Sequence, residues 1–306
     1  MDKAVIRIGT RESQLAVWQA NLVKDLLKQH GYTAELLYIK SEGDIDLKTP
    51  LYELGVQGIF TKTLDIALLS GDIDIAVHSM KDVPTMMAKG IVQAAVLKRA
   101  SYKDLLVPRP GQTFTENKVK KIIATSSIRR KAQWLNRYPE DQIENLRGNV
   151  NTRLHKVEES DWDGAIFAAA GLERIGLRPE NAIELDWMLP APAQGAIIIV
   201  SRDSNAYCLE ACAHLHDADT GLCAGIERDF LRALLGGCST PISAFAKVEH
   251  DNVLFEGNIL SKDGKQKKEI FKKMKVADAR NMGSDAAKEL LQGGGQEILN
   301  GFRDEN

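Results

Sequence analysis

The fold of this chain is constrained most by a unit of strand, polar turn and helix that recurs through its first two thirds. The first unit begins with the alternating run AVIRIGT and continues through the polar turn RES into QLAVWQANLVKDLL. Leu15, Trp18, Leu22 and Leu26 recur there at helical spacing, and Ser13 is placed to cap the helix N-terminus. Strands that alternate with helices in this way predict parallel βαβ units and an α/β fold.

The pattern returns along the chain and then changes near residue 220. Further strand-like runs are DIDIAVHS, KKIIAT, IENL, WDGAIFAA and GAIIIVSR. After them, NVLFEGNILS and KEIFKKMKV predict a β-hairpin, and the helical segment GSDAAKELLQ follows. The lysine-rich run at residues 262–275 is interleaved with acidic and apolar residues, which favours a solvated hairpin face over a binding patch. We therefore predict a small α+β domain at residues 220–306.

Size and composition narrow the class of protein. The 306 residues suggest two or three domains, and a formal net charge of -2 argues against nucleic acid as a partner. We find no signal peptide and no apolar stretch long enough to span a bilayer, so a cytoplasmic location is expected. We also find no nucleotide-binding motif, so nucleotide binding is not predicted. The cysteines, Cys208, Cys212, Cys223 and Cys238, are then expected to be free thiols.

Two further features are open to more than one interpretation. The loop at residues 41–58, rich in glycine and charge, forms either a lid over a cleft or a surface excursion. Cys208, Cys212 and His216 share the spacing i, i+4, i+8, which would place three potential metal ligands on one helix face. Ligands in a row on one helix converge poorly on a tetrahedral ion, so a buried helix face is favoured and no metal site is predicted.

Hydroxyl-bearing and cationic residues follow four of the predicted strands. In open parallel sheets, ligands bind beyond the carboxyl ends of the strands, where free amides of the next helix add positive potential. Arginine predominates over lysine, which favours forked pairing to carboxylate or phosphate. We therefore predict a site for a ligand with several anionic groups. The residues after the strands are Arg11, Ser13, Ser79, Lys81, Asp82, Thr125, Ser126, Ser127, Arg129, Arg130 and Arg147, with Arg153 nearby.

Asp82 and Cys238 stand apart from these cations. Asp82 is the single carboxylate in HSMKDVP, where it either stabilises a developing positive charge or caps a turn beside Lys81. His78 in the same stretch is interpreted as a strand histidine with a satisfied hydrogen bond. Cys238 follows two glycines in LLGGCSTPI, a setting that suits an exposed turn. An accessible thiol there would be catalytic, metal-bound or modified.

Seven motifs occur in a fixed order over nearly the whole chain, and together they are highly specific. They are GTRESQLA, DIAVHSMKDVP, ATSSIRR, LRGNVNTRL, AAAGLERIGL, PAPAQGAI and GGCSTPI. In this combination the chain resembles the hydroxymethylbilane synthase family, also called porphobilinogen deaminases, of tetrapyrrole biosynthesis. The resemblance implies a transferase that condenses four porphobilinogen molecules head to tail with loss of ammonia. The chain grows on a covalent dipyrromethane primer, and hydrolysis releases linear hydroxymethylbilane.

The resemblance also implies the domain organisation. It predicts two lobes like those of type II periplasmic binding proteins, joined by a double hinge, and a small α+β C-terminal domain. Domain 1 would comprise residues 1–98 and 197–217, domain 2 residues 102–191 and domain 3 residues 220–306. The hinge crossings would fall near residues 98–102 and 191–197. The family further suggests a monomer.

Residue roles are carried over only where a motif matches. Cys238 would hold dipyrromethane through a thioether, and Asp82 would hold the ring N–H groups and stabilise the azafulvene cation formed when ammonia leaves. Each pyrrole carries an acetate and a propionate, so the growing chain is a polyanion. The residues expected to bind cofactor and substrate are Arg11, Ser13, Lys81, Thr125, Ser126, Ser127, Arg129, Arg130, Arg147, Arg153, Arg174, Gln194 and Gly195.

One position departs from the family pattern, and two other functions are considered. Many relatives have Gly-Gly-Lys-Gly where this chain reads GVQG, which puts a direct ligand contact from Gln57 in doubt, although Lys62 is in place. A non-catalytic carboxylate-binding protein would need the arginines but neither Asp82 nor Cys238. A thiol-dependent enzyme would need a basic partner for Cys238, and the neighbouring sequence offers none.

Overall fold

The structure is a computed structural model that describes residues 5–40, 61–111, 114–115, 120–234 and 240–302. The loop at 41–58, with Gln57, and the cysteine Cys238 lie outside the described residues. The chain divides into two compact units and passes between them at residues 100–101, 194–195 and 222–223. The division into three domains, with its hinge crossings, stays a prediction.

The first unit is built on a five-stranded sheet flanked by helices. Its strands β1, β2 and β3 are parallel, and β10 lies antiparallel between β3 and β4, which gives the order β2-β1-β3-β10-β4. The strands are β1 (Ile6–Thr10), β2 (Ala34–Tyr38), β3 (Ile75–Ser79), β4 (Ile91–Val96) and β10 (Ile197–Arg202), and the helices are α1 (Gln14–Gln29), α2 (Lys62–Ser70) and α6 (Ala206–Ala213).

The helical periodicity of α1 is confirmed, but its buried face lies one position further along than predicted: Ala20, Val23 and Leu27 are fully buried, whereas Leu22 and Leu26 are half-buried and Trp18 is exposed. Ile8 of β1 and Val23 of α1 are fully buried in one apolar cluster, which also contains Cys208 and Cys212 of α6. The Ser13 hydroxyl accepts a hydrogen bond from the amide of Ala16, as expected of an N-cap. Helix α1 therefore begins where its sequence predicts, directly after the first polar turn.

The predicted helix face of Cys208, Cys212 and His216 is correct for the two cysteines and wrong for the histidine. Helix α6 ends at Ala213, and the Nδ1 atom of His216 accepts a hydrogen bond of 3.1 Å from the amide of Val96. Burial raises the pKa of the Cys208 thiol to about 11 and that of Cys212 to about 12. Both thiols therefore stay protonated at neutral pH and act as packing groups.

The second unit repeats the strand order of the first. Strands β6, β7 and β8 are parallel, and β5 lies antiparallel between β8 and β9, which gives β7-β6-β8-β5-β9. In each sheet the fourth place is taken by the strand that follows a passage between the units. The elements are β5 (Asp104–Pro108), β6 (Ile122–Ala124), β7 (Gln142–Glu144), β8 (Gly164–Ala168), β9 (Ile183–Glu184), α3 (Ile128–Arg137), α4 (Val150–Glu159) and α5 (Ala169–Glu173).

The C-terminal part of the second unit is a three-stranded antiparallel meander covered by helices on one face. Phe255 packs edge-to-face on Phe230 at a centroid separation of 5.1 Å. A side chain on Gly283 would lie 2.0 Å from the carbonyl oxygen of Ile226, so only glycine allows these helices to approach so closely. The elements are α7 (Ala218–Ala233), β11 (Ile242–Glu249), β12 (Asn252–Leu260), β13 (Lys267–Lys275), α8 (Met282–Leu290) and α9 (Gln296–Gly301).

These two sheets and the meander confirm the predicted fold class, namely two similar α/β lobes with a small α+β part at the C-terminus. The lysine-rich strand β13 alternates between exposed and half-buried residues, which confirms its interpretation as a solvated hairpin strand. In the described part of the chain, no helix combines the length and apolar character needed to cross a membrane.

A buried carboxylate ties the C-terminal meander to the segment before the return passage at 194–195. The Glu227 side chain is fully buried and accepts hydrogen bonds from the amides of Ala193, at 2.6 Å, and Ala246, at 2.7 Å. Ala193 has a φ of 61°, in the left-handed region that a non-glycine residue adopts only when its surroundings hold it there.

We expect Glu227→Ala to lower the free energy of unfolding by about 3 kcal/mol, because two buried amides lose a charged acceptor. Glu227→Gln, which keeps one carbonyl acceptor, should lose less. Urea denaturation followed by circular dichroism measures both changes, with the exposed Glu210→Ala as the matched control. A Glu227→Ala protein as stable as the parent would contradict the structural role.

Candidate functional site

In the first unit, Arg11, Ser13 and Asp82 line one small cavity. Its volume is about 70 Å³, and Gln19, His78 and Ser79 also line it. Arg11 and Ser13 follow β1, whereas Asp82 ends the short 3-10 turn Met80–Asp82 that follows β3. Since β1 and β3 run parallel, their carboxyl ends bring these side chains to one edge of the sheet. Lys81 lies in the same turn, half-buried, but is not among the lining residues.

A hydrogen bond between two elements holds this cavity in shape. The buried Gln19 of α1 donates from Nε2 to the hydroxyl of Ser79, at 2.8 Å. This bond fixes the last residue of β3 against the first helix, directly before the turn that carries Asp82. Asp82 itself is exposed, in contrast to its buried neighbour Met80.

His78 is a buried imidazole whose proton affinity is low. Desolvation, together with the charge of Arg11, lowers its pKa to about 4. Its Nε2 atom is buried and has no hydrogen-bond partner in the structure, so the expectation of a strand histidine with a satisfied hydrogen bond is wrong at that atom. The ring is neutral at physiological pH, and the cavity therefore holds one fewer positive charge than its composition suggests.

In the second unit, a fully buried carboxylate gathers two of the predicted binding residues. Asp104, at the start of β5, accepts from Nη2 of Arg129 at 2.7 Å. It also accepts from Nη2 of Arg130 at 2.7 Å and from Nε2 of Gln194 at 3.0 Å. The other guanidinium ends bond to the main chain, Arg129 to the Leu189 carbonyl and Arg130 to the Ile166 carbonyl. We call Asp104, Arg129, Arg130 and Gln194 the Asp104 cluster.

The Asp104 cluster carries more positive than negative charge. Two guanidinium groups share one carboxylate, so one positive charge is not compensated within the cluster. Burial lowers the pKa of Arg129, an effect that Asp104 opposes and Arg130 reinforces. The Nε atom of Arg129 is buried and has no hydrogen-bond partner in the structure. An anionic ligand group nearby would therefore be favoured electrostatically.

The predicted hydroxyls of the second unit differ in how they are engaged. Thr125 Oγ1 accepts from the amide of Ser127, at 3.2 Å, and Thr125 is buried. Ser126 bridges to the loop after β7, since its hydroxyl contacts the Leu146 carbonyl at 2.5 Å and accepts from the Leu146 amide at 3.0 Å. Ser127 precedes α3 without using its side chain as a cap. Ser126 thus positions the segment that leads to Arg147.

Three further predicted arginines lie in the segments that follow β7 and β8 in the chain. Arg147 is buried and comes shortly after β7, while the half-buried Arg153 belongs to α4 and Arg174 directly follows α5. Burial lowers the pKa of Arg174 to about 10, which leaves it charged at neutral pH. Gly148, at a φ of 114°, permits the turn between Arg147 and the Asn149 cap of α4.

The structure therefore brings two groups of predicted residues together. Arg11, Ser13 and Asp82 line the cavity of the first unit, and Arg129, Arg130 and Gln194 share Asp104 in the second. Gly195, also predicted, accepts a main-chain hydrogen bond of 3.1 Å from Ala100 in the first unit. Asp104 and Gln19 were not predicted. An aspartate at the start of the apolar run DLLV is a signal that could have pointed to Asp104.

The repeated strand order and the arginine-bearing strand ends define the class, a two-lobed α/β protein with a small C-terminal α+β part. The family model described as "Porphobilinogen deaminase, dipyromethane cofactor binding domain" matches residues 6–210, and "Porphobilinogen deaminase, C-terminal domain" matches residues 221–292. The chain belongs to the porphobilinogen deaminase family, and it is an enzyme of the transferase class.

Curated relatives match over nearly their whole length. The porphobilinogen deaminase of Syntrophotalea carbinolica is 41% identical over 303 residues, which cover 98% of this chain and 96% of the relative. The porphobilinogen deaminase of Pelotomaculum thermopropionicum is 41% identical over 307 residues, which cover 99% of this chain and 98% of the relative. That of Trichlorobacter lovleyi is 40% identical over 298 residues, with 96% and 95% covered.

Solved structures of binding proteins are similar to part of the chain. The methionine binding protein MetQ matches with a TM-score of 0.46 and 14% identity, over 71% of this chain and 91% of that protein. A periplasmic substrate-binding protein of an ABC transporter from Coxiella burnetii matches with a TM-score of 0.43 and 18% identity, over 73% of this chain and 96% of that protein.

The low pKa of His78 predicts a specific dependence of stability on pH. Above pH 6.5 the imidazole is neutral in both the folded and the unfolded chain. As the pH falls towards 4 the unfolded chain binds a proton that the folded chain does not, so about 3 kcal/mol of stability is lost over that interval. Urea denaturation at pH 7 and pH 4 should show this loss in the parent, and a smaller loss in His78→Gln. The exposed His155→Gln serves as the control, and equal losses in all three proteins would contradict the assignment.

Proposed function

We propose that this chain is a hydroxymethylbilane synthase that condenses four porphobilinogen molecules head to tail. The product is released by hydrolysis as linear hydroxymethylbilane, and ammonia is lost at each condensation. The observation that carries the proposal is the shared cavity of Asp82, Arg11 and Ser13 in a chain of this family. A protein that only binds anions has no need of the Asp82 carboxylate beside Arg11. A reaction that forms a positively charged intermediate does, because the carboxylate stabilises that charge.

Asp82 is proposed as the catalytic carboxylate. When the amino group of porphobilinogen leaves, positive charge develops on the pyrrole ring and is shared with its nitrogen. The exposed Asp82 carboxylate would accept the ring N–H and stabilise that charge as it forms. Arg11 and Ser13, across the same cavity, would hold the substrate carboxylates and so orient the ring towards Asp82.

Dipyrromethane is the cofactor of this family, and we propose that it is attached to Cys238 through a thioether. When bound, it supplies the nucleophilic α-carbon from which the chain grows. The residues present fit such a group, because its acetate and propionate side chains match the uncompensated charge of the Asp104 cluster and the buried Nε of Arg129. Further cations for the longer polyanion would come from Arg147, Arg153 and Arg174. Hydroxyl groups that donate hydrogen bonds to it would come from Thr125, Ser126 and Ser127.

Lys81, Gln194 and Gly195 are proposed to take part in binding cofactor or substrate. The partners are porphobilinogen and the growing oligopyrrole, and the protein is proposed to act as a cytoplasmic monomer of three domains, with hinge crossings near residues 98–102 and 191–197. Sedimentation at micromolar concentration tests the oligomeric state directly.

The intact mass of the purified protein tests the function. It should exceed the sequence mass by one dipyrromethane unit, and an aldehyde reagent for pyrroles should stain the protein. Cys238→Ala should lose both signals and the activity. A fully active protein of unmodified mass would refute the proposal.

Asp82→Asn should retain the covalent pyrroles, or part of them, but lose turnover by at least about a hundredfold, because an electrostatic partner of the transition state is removed. Porphobilinogen consumption and product release measure the rate. The exposed Asp72→Asn, in the same unit, is the matched control and should keep the parent rate. A near-normal rate in Asp82→Asn would remove this residue from the chemistry.

Arg147→Ala and Arg129→Ala should stop chain growth at particular lengths, because the polyanion gains two carboxylates with each added ring. Mass spectrometry of the enzyme-bound intermediates would then show species with fewer than four added rings. Arg178→Ala, which removes a guanidinium engaged by surface glutamates, is the control. Normal elongation in both test variants would show that the predicted cleft is misplaced.

A further inference from the structure

A second and larger cavity lies within the second unit, and none of its lining residues is among those predicted for cofactor or substrate. Its volume is about 450 Å³. One wall is a face of the C-terminal meander, and the other is formed by residues 186–190 together with Tyr102 and Lys103. We call it the meander cavity.

Four aromatic side chains line the meander cavity among charged and polar residues, namely Tyr102, Trp187, Phe245 and Phe271. Successive residues of a strand point to opposite faces, so Phe245, Asn258 and Phe271 lie on the face opposite the buried Phe255. The ring of Phe245 stacks on Tyr102 with a centroid separation of 3.9 Å. Phe271 is 58% exposed, a large apolar surface on this side of the sheet. The exposed face of Phe271 gives a flat ring a surface to pack against.

One polar side chain in the cavity has an unused hydrogen-bonding atom. Asn258 is 4% exposed, and its Oδ1 atom is buried without a hydrogen-bond partner in the structure. Ser243, its cross-strand neighbour, accepts a hydrogen bond from Nε2 of Gln133 at 3.0 Å and makes none to Oδ1 of Asn258. A buried carbonyl left in this state is costly, so a ligand with an N–H donor gains affinity here.

The cationic side chains of the cavity are less exposed than the carboxylates that pair with them. The side chain of Lys103 is 25% exposed and that of its partner Asp186 is 76% exposed. The side chain of Lys267 is 37% exposed and that of its partner Glu269 is 68% exposed. Ion pairs to such exposed carboxylates contribute little. The lining also holds three carboxylates, Asp186, Glu256 and Glu269. A ligand carboxylate therefore gains affinity only where it takes the place of Asp186 or Glu269 beside a lysine, and Lys247 is a third cation on the same face as Phe245.

We propose that the meander cavity is a binding site for a planar N–H heteroaromatic ring that carries carboxylate side chains, the chemistry of a single pyrrole acid. The ring packs on the exposed face of Phe271, the ring N–H donates to Oδ1 of Asn258, and the lysines take the carboxylates. A volume of about 450 Å³ lies at the small end of the range for ligand sites and favours one ring over a chain of four. Given the proposed function, the occupant is a molecule of the substrate bound apart from the residues assigned to the chemistry.

The test titrates the holoenzyme with indole-3-propionate by calorimetry. This probe has the flat ring, the N–H and the carboxylate but no aminomethyl group, so it is not a substrate, and the measurement stands even where the proposed function fails. Two related probes, 1-naphthalenepropionate without the N–H and indole-3-propanol without the charge, should each bind about tenfold more weakly.

Variants locate the binding. Asn258→Leu and Lys247→Gln should each weaken binding of indole-3-propionate about tenfold, whereas Lys265→Gln, an exposed lysine in the following turn, should not. Lys247 lies half-exposed, so its variant keeps the test decisive where Asn258→Leu fails to fold. Unchanged binding in Lys247→Gln and Asn258→Leu, or no binding of the probe at millimolar concentration, would overturn the proposal.

A last titration identifies the occupant. In the Asp82→Asn protein, where turnover is expected to be poor, porphobilinogen should displace the indole probe, and the displacement should disappear in the double variant that also carries Lys247→Gln. Displacement that persists in the double variant would mean that the probe occupies a different site, and the meander cavity would then lose its assignment.

Discussion

The second unit depends on the carboxylate of Asp104. It is fully buried and accepts hydrogen bonds from Arg129, Arg130 and Gln194. Removing a charge from water costs several kcal/mol, so a buried carboxylate persists only when opposite charges and donors surround it. Through this one group, the start of β5, the first turn of α3 and the segment before residue 195 are held in a fixed relation. The strand ends that carry the other arginines are built on that frame.

The Asp104 cluster also explains why these positions hold arginine. Arg129 reaches the carboxylate and the Leu189 carbonyl with different nitrogens, and Arg130 does the same with the Ile166 carbonyl. A lysine has one compact ammonium group and could not bridge two acceptors in a fixed plane. The sequence predicts that Arg129 and Arg130 bind an anionic ligand. In the structure both are structural groups, and what they offer a ligand is the one uncompensated charge and the Nε of Arg129.

The sequence predicted those features that depend on near neighbours. Helix α1 and its Ser13 cap were predicted correctly because periodicity and capping act within a few residues, although the buried face of the helix lies one position further along than predicted. His216 was misplaced because nothing in CLEACAHLH marks a helix end, and the residue is held instead by Val96, 120 positions away. Asp104 was missed for the same reason, since its partners lie 25, 26 and 90 residues along the chain. Long-range pairing of buried polar groups is set by the packing of elements, which local patterns do not record.

Two carboxylates in this chain occupy opposite environments, and this difference bears on what each can do. The carboxylate of Asp104 accepts hydrogen bonds from protein donors, whether or not a ligand is bound. It is therefore not available to stabilise a positive charge that forms on a substrate only during a reaction. Asp82 ends a turn on the rim of a cavity, is exposed, and faces a space large enough for only a small part of a substrate. A group that is to stabilise a transient cation has to be held in place yet left accessible. The bond between Gln19 and Ser79 holds the end of β3 just before that turn, and the side chain of Asp82 stays exposed.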